Sequence, residues 1–310
     1  MHIWVTGAAG FAGRHVCAEL KRGGHELTGV DCAPDPADDR CARWHQLDIT
    51  DPGAVSACVR ANRPEACLHL AGVAHVPAGW NRPQQVMQIN VSGTLNLLEA
   101  IRTVSPSARV LVVTSSEVYG RSPRPAPLHE EDALLPTNLY GVSKMAADCA
   151  TRLYHGRYGL PTLTARPQNH IGPGQSNAFV VTAFAEQLAQ MTGLPPQEQI
   201  LRVGNLDAQR DFTDVRDMAR AYHLLLTKGR PGEAYNIATG RNISIRSVLE
   251  QLCERAGFHP RLEIDPDRYR PADNPPVLAV DKITADTGWS PAIPLEQTLS
   301  DIYASLVYPG

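Results

Sequence analysis

The chain has 310 residues, 43% hydrophobic, 20% charged and 6% aromatic, with a formal charge of −3. That is ordinary globular composition, long enough for one large domain or for a domain with a smaller cap. A slightly acidic body argues against a general nucleic-acid or membrane-surface binder, and no 18-residue apolar run exists to span a bilayer.

Met1 leads directly into a strand, His2–Thr6, with no basic leader or cleavage site, so a cytoplasmic chain is expected. A helix over Gly10–Leu20 stops at Gly23-Gly24, and strands follow at His25–Val30 and Trp44–Leu47. Asp51-Pro52 opens a second helix with a capping carboxylate followed by proline in the first turn. Next come a strand Ala66–Leu70, a long helix Gln84–Val104, a strand Arg109–Thr114, a helix Asn138–Gly156 and a strand Pro161–Arg166. Strands alternating with helices of this length predict βαβ units, hence an α/β, doubly wound parallel sheet.

Beyond Arg166 the rhythm breaks. Pro167–Gln175 reads as a Gly- and Pro-rich loop, followed by a helix Phe179–Met191. A strand–helix–strand pattern (Ile200–Val203, Asp214–Leu226, Ala234–Ile237) precedes helices Ser244–Arg255 and Leu295–Leu306. The division expected is a dinucleotide-binding domain over 1–166 and a smaller lobe over 167–310, with about 200–240 returning to the sheet. The seven cysteines (Cys17, Cys32, Cys41, Cys58, Cys67, Cys149, Cys253) form no C-x-x-C pair. They are expected to be reduced, mostly buried thiols with no metal site.

Glycines at 7, 10 and 13 follow the first strand and open the first helix. Glycine lets the backbone turn tightly and approach a pyrophosphate, whose charge then rests on free N–H groups of a helix N-terminus. Phe11 and Ala12 belong to the same cradle. Asp31 ends the second strand, where a carboxylate accepts hydrogen bonds from ribose hydroxyls and repels a 2′-phosphate, favouring NAD(H) and leaving NADP(H) open. Asp48 and Ile49, after the third strand, are placed to bracket the adenine, with capping of the next helix an equal alternative for Asp48. The alternative is a tight turn with no ligand and a solvated turn aspartate.

Tyr140 and Lys144 stand four residues apart on one helical face. A phenol titrates near ~10, and a neighbouring ammonium is expected to lower that value toward the range useful for acid–base work on a carbonyl. Ser115 and Glu117 follow a buried strand at its carboxyl end, where open α/β sheets place ligands. Ser115 is expected to hold the reacting oxygen, with Glu117 as a second acid or base. His75 and Trp80 are candidates for a sugar pocket. They and His170 read equally well as loop packing, and His155 and His223 as partly exposed helix residues.

Together, the Gly7-x-x-Gly10-x-x-Gly13 run, Asn90, Ser115 with Glu117, and Tyr140-x-x-x-Lys144 resemble the extended short-chain dehydrogenase/reductases acting on nucleotide sugars. The segments Arg166–Gln175, Val203–Asp217, Tyr269–Asp273 and Thr287–Pro291 are similar to the branch working on GDP-mannose derivatives, especially 4-keto reductases that make GDP-rhamnose. The resemblance implies a Rossmann fold and a catalytic trio of Ser115, Tyr140 and Lys144. It also implies cofactor contacts from Leu70, Ala71, Asn90, Tyr140 and Lys144, the lysine holding the nicotinamide ribose. On the substrate side it implies diphosphate contacts from Asn169, Arg210 and Arg270, a ribose contact from Asp273, and Val180 in the same site. A local alternative pairs Arg210 with Asp211 and Arg270 with Asp267. Gln168 stands where the family has an aromatic, and Asp31 where NADPH-using members have a basic residue. The implied activity is NAD(P)H-dependent reduction of the 4-keto group of a GDP-linked 6-deoxyhexulose. A redox-neutral 4,6-dehydratase or 4-epimerase with retained NAD⁺ is the first alternative and a non-catalytic dinucleotide sensor the second. The family pattern further implies a homodimer through Gln84–Val104 and Asn138–Gly156.

Overall fold

In the computed structural model, residues 1–74, 76–121, 126–269 and 275–308 are described. The first six strands are β1 (His2–Thr6), β2 (Glu26–Asp31), β3 (Arg43–Gln46), β4 (Ala66–His69), β5 (Arg109–Val113) and β6 (Thr162–Pro167). With β7 (Ala234–Ile237) they form one sheet in the order β7-β6-β5-β4-β1-β2-β3. Every pairing is parallel. The α/β doubly wound fold expected from the strand–helix alternation is therefore the one observed. The strand order reverses between β1 and β4, which opens a crevice at their carboxyl ends.

Both faces of this sheet are buried, and the side chains sort by the two-residue period of a strand. Ile3, Val5, Leu68, Leu111 and Val113 point to one face, where the helices Phe11–Arg22 and Val215–Lys228 cover them. Trp4, Cys67, Val110 and Val112 point to the other, against Pro52–Asn62 and Thr94–Val104. Each large aliphatic removed from water here contributes about 1.5–3 kcal/mol. A separate core holds the lobe together, with Val181, Phe184 and Leu188 of Val180–Met191 meeting Val248 and Leu252 of Ile245–Ala256 and Ile302 of Leu295–Val307.

Several elements start where local chemistry says they must. The Asp51 carboxylate accepts from the N–H groups of Gly53 (2.9 Å) and Ala54 (3.0 Å), with Pro52 in the first turn. Asn138 caps the helix Leu139–Tyr158 through the Gly141 N–H at 2.8 Å. Asp214 and Ser244 do the same for the helices that follow them.

Four expectations are corrected. Pro167–Gln175 is not all loop, because Asn169–Ile171 is a short strand pairing in parallel with Phe212–Asp214. Ile200–Val203 does not return to the main sheet but pairs with Arg261–Ile264 in the lobe. In both cases the partner lies tens of residues away, beyond the reach of any local pattern. Cys17, Cys67 and Cys253 are buried, whereas Cys32 is exposed and the other three are half-buried. The expected long helix is interrupted: Pro83–Met87 and Thr94–Val104 are joined by a π-turn over Gln88–Gly93.

Candidate active site

A cavity of about 1290 Å³ runs across the carboxyl ends of the central strands. Its first wall is the turn after β1. Gly7 adopts φ +74°, and a Cβ on Gly13 would stand 2.2 Å from the Gly7 carbonyl oxygen, so the turn closes only with glycine at both positions. The helix it opens, Phe11–Arg22, has no side-chain cap, and its first N–H groups face a space that an anion fits. Underneath, the fully buried His69 bonds Thr6 through Nδ1 (2.7 Å) and Thr94 through Nε2 (3.0 Å), tying β1 to the helix Thr94–Val104. Burial pulls His69 down to about 3, so this link is uncharged.

Asp31 lines the same wall, its carboxylate accepting from the N–H groups of Ala9 (2.9 Å) and Ala33 (3.0 Å). Asp48, Ile49, Leu70 and Ala71 line it as well. The steric closure of the glycine turn, the uncapped helix and the carboxylate at the strand end together fit the pyrophosphate and ribose of a dinucleotide. Asn90 stands differently from the rest. It sits in the π-turn, buried behind the lining, where it accepts from Val73 N (2.8 Å) and donates to Val73 O (3.2 Å) and Ser143 Oγ (2.9 Å). It therefore shapes the Gly72–Val73 stretch of the wall, a use of a π-turn common at functional sites.

The catalytic candidates converge at the other end. Ser115, Glu117, Tyr140 and Lys144 all line the cavity. Ser115 leaves β5 in extended conformation and its Oγ accepts from the Glu117 N–H at 3.2 Å. The Glu117 carboxylate accepts from Asn138 Nδ2 at 2.7 Å, so the residue that caps the helix Leu139–Tyr158 also positions this acid. Burial pushes the Tyr140 phenol up to about 12, a hydrogen bond with Ser115 pulls it back, and the Glu117 charge raises it. The expectation that Lys144 lowers the phenol is not met. Burial brings Lys144 itself down to about 8, and its Nζ donates to the Val113 carbonyl at 3.0 Å. Desolvation outweighs the pairing that sequence spacing suggests.

Behind these residues lies a closed polar network. Arg166 donates to both oxygens of Asp148 (2.8 and 2.9 Å) and to Tyr119 Oη and Glu130 O, with Arg166 and Asp148 fully buried. It locks β6 to the catalytic helix and to the segment after β5.

The second wall belongs to the lobe. Asn169, Val180 and Arg210 line it. Arg210 does not pair with its neighbour Asp211, whose carboxylate accepts from the N–H groups of Thr239, Gly240 and Arg241 at 2.9–3.1 Å. Asp214 caps its helix, and Asp217 accepts from Ala292 N and Ile293 N. The aspartates of that segment thus build the scaffold, while Arg210 faces the cavity. Arg270, Asp273 and His75 lie outside the described residues. Trp80 is well exposed and does not line the cavity.

Two lining residues stand in surroundings that their sequence context does not reveal. Gln168 accepts from Ser116 Oγ and donates to the Pro276 carbonyl, both at 3.0 Å, a polar latch where an aromatic was the family expectation. Tyr222, inside an amphipathic helix, reads from the sequence as a core aromatic.

The family model described as GDP-mannose 4,6 dehydratase matches residues 4–302. A GDP-6-deoxy-D-mannose reductase of Pseudomonas aeruginosa is 38% identical over 97% of this chain and 95% of its own. The structure of RMD from Pseudomonas aeruginosa complexed with NADPH superimposes with a TM-score of 0.87 at 34% identity, covering 100% of this chain and 99% of that one. A Thermus thermophilus UDP-glucose 4-epimerase in complex with NAD gives 0.86 at 28% identity, covering 99% of each chain.

Proposed function

The chain belongs to the GDP-mannose 4,6 dehydratase family, and from that premise we propose that it reduces the 4-keto group of a GDP-linked 6-deoxyhexulose. The observation that carries this reading is the convergence of Ser115, Tyr140 and Lys144 on one cavity with the glycine turn. A bound nicotinamide dinucleotide supplies the hydride. A phenol held near 12 is protonated at neutral pH, the form a reductase needs to give a proton to a carbinol oxygen. Ser115 orients the carbonyl. Lys144, four residues along the same helical face and charged below about 8, stabilises the phenolate left behind. Residues 1–166 hold the dinucleotide in this reading, and 167–310 mainly the nucleotide sugar, with Asn169, Val180, Arg210, Arg270 and Asp273 as its contacts.

The cofactor is NADH before NADPH. Asp31 lines the cavity at the end of β2, where its charge would repel a 2′-phosphate, and Arg40, which reaches the Ala8 carbonyl at 3.5 Å, is paired with both oxygens of Asp38 at 2.7 Å. Exposed Leu95, Leu153 and Tyr158 on the helices Thr94–Val104 and Leu139–Tyr158 support a homodimer through those helices, checked by sedimentation.

Glu117 at the cavity keeps a rival in play, since a redox-neutral 4,6-dehydration needs a carboxylate beside the catalytic tyrosine. Incubation decides between them. Stoichiometric NADH or NADPH consumption with a GDP-4-keto-6-deoxy sugar is expected. Product from GDP-mannose with no added cofactor would overturn the reductase reading.

A further inference from the structure

Five tyrosines are buried, and the hydroxyls of four have evident uses, Tyr303 Oη being bonded with Thr192 Oγ1 at 3.1 Å. Tyr119 Oη donates to Asn236 Oδ1 and accepts from Arg166. Tyr235 Oη donates to Asp286 and accepts from Arg230 N. Tyr140 bonds Ser115. Tyr222, on the helix Val215–Lys228, is completely buried, and its hydroxyl has no hydrogen-bond partner among the described residues. Phenylalanine would fill the same space without desolvating a hydroxyl for nothing in return. The orphaned hydroxyl therefore points to a group that the protein does not supply.

Where that group sits is narrowed by the fold. Tyr222 belongs to the buried core cluster that also holds Ala8, Val113 and Ala165, and it lines the cavity as well. It belongs to the core of the main sheet and not to the separate core of the lobe. It is close enough to Tyr140 to feel its charge, which together with burial pushes the Tyr222 phenol up. A dinucleotide that reaches from the glycine turn to Tyr140 brings its nicotinamide to this end, and the one hydrogen-bonding substituent of that ring is the carboxamide. We propose that the Tyr222 hydroxyl is the hydrogen-bond partner of the nicotinamide carboxamide and so fixes the face of the ring turned toward Tyr140. This rests on the dinucleotide reading above.

The test is Tyr222→Phe, titrated with NADH and with ADP-ribose, which lacks the nicotinamide. NADPH and 2′-phospho-ADP-ribose form the parallel pair if the wild type prefers them. The dissociation constant for the reduced dinucleotide should rise about five- to tenfold, the factor carried by one ordinary hydrogen bond. That for ADP-ribose should stay within twofold. The melting temperature of the ligand-free variant should not fall, because the lost hydroxyl had no partner. Equal weakening of both ligands, or of neither, overturns the proposal. A wild-type protein that binds neither ligand overturns instead the dinucleotide reading on which it rests.

Discussion

The turn Gly7–Gly13 and the segment Asn169–Gly174 face the same cavity but are held in different ways. The turn is closed by its own neighbours: Gly10 N donates to Gly7 O (3.1 Å), Arg14 N to Gly10 O (3.1 Å) and Gly7 N to Val30 O on the adjacent strand (2.8 Å). The segment is held from outside. Arg14 Nη2 donates to Gly174 O (2.7 Å), His15 Nε2 bonds Pro173 O (3.2 Å), and the His170 ring stacks on Phe11 with centroids 6.0 Å apart and planes 8° apart. The loop proposed to carry substrate is thus docked on the helix proposed to carry the dinucleotide. The dependence runs one way: disturbing the lobe should leave dinucleotide binding intact, whereas disturbing the first helix should move both.

Tyr140 stands where the two walls meet, and its removal tests the arrangement hardest. Tyr140→Phe should lower kcat by about 10²–10⁴-fold, the usual worth of a positioned acid. The NADH dissociation constant should change less than twofold, because the phenol hydroxyl serves the chemistry and not the grip. Near-normal turnover in steady-state assays would remove the phenol from the mechanism.

A smaller effect is expected from Lys144, whose burial serves the catalytic end at a cost to stability. Between about 8 and the ordinary lysine value, Lys144 is neutral in the folded chain and charged in the unfolded one. The unfolded state then binds more protons, so this group makes stability rise as pH rises through that window. Denaturant unfolding of wild type and Lys144→Met at pH 7.5 and pH 10 should show wild type gaining on the variant by on the order of 2 kcal/mol. A constant difference would mean that the lysine is not desolvated.

The mildest change is expected on the lobe wall. Arg210→Ala should raise the KM for the GDP sugar about tenfold, the worth of one charge-assisted phosphate contact, with the NADH dissociation constant unchanged. If NADH affinity falls too, the walls are not independent and the one-way dependence fails.

Much of this was legible in the sequence where the physics is local. Glycine spacing, the Asp51, Asn138, Asp214 and Ser244 caps, the two-residue alternation of β1 and the four-residue spacing of Tyr140 and Lys144 each depend on atoms within about one turn of chain. Motif resemblance extended that reach to Asn169 and Arg210, whose neighbours it could not supply. What the sequence determined by itself was the doubly wound sheet, the glycine turn at its crevice and the placing of Tyr140 and Lys144 on one helix. Only the tertiary structure decided that Asn169–Ile171 pairs with Phe212–Asp214, that Gln168 latches Ser116 to Pro276, that Asp211 bonds the N–H groups of Thr239, Gly240 and Arg241 and that the Tyr222 hydroxyl has no partner among the described residues. It likewise decided that Tyr140 sits near 12 and not below its ordinary value. Hydrogen bonds between sequence neighbours follow from residue order, but desolvation and long-range pairing depend on what the rest of the folded chain brings alongside.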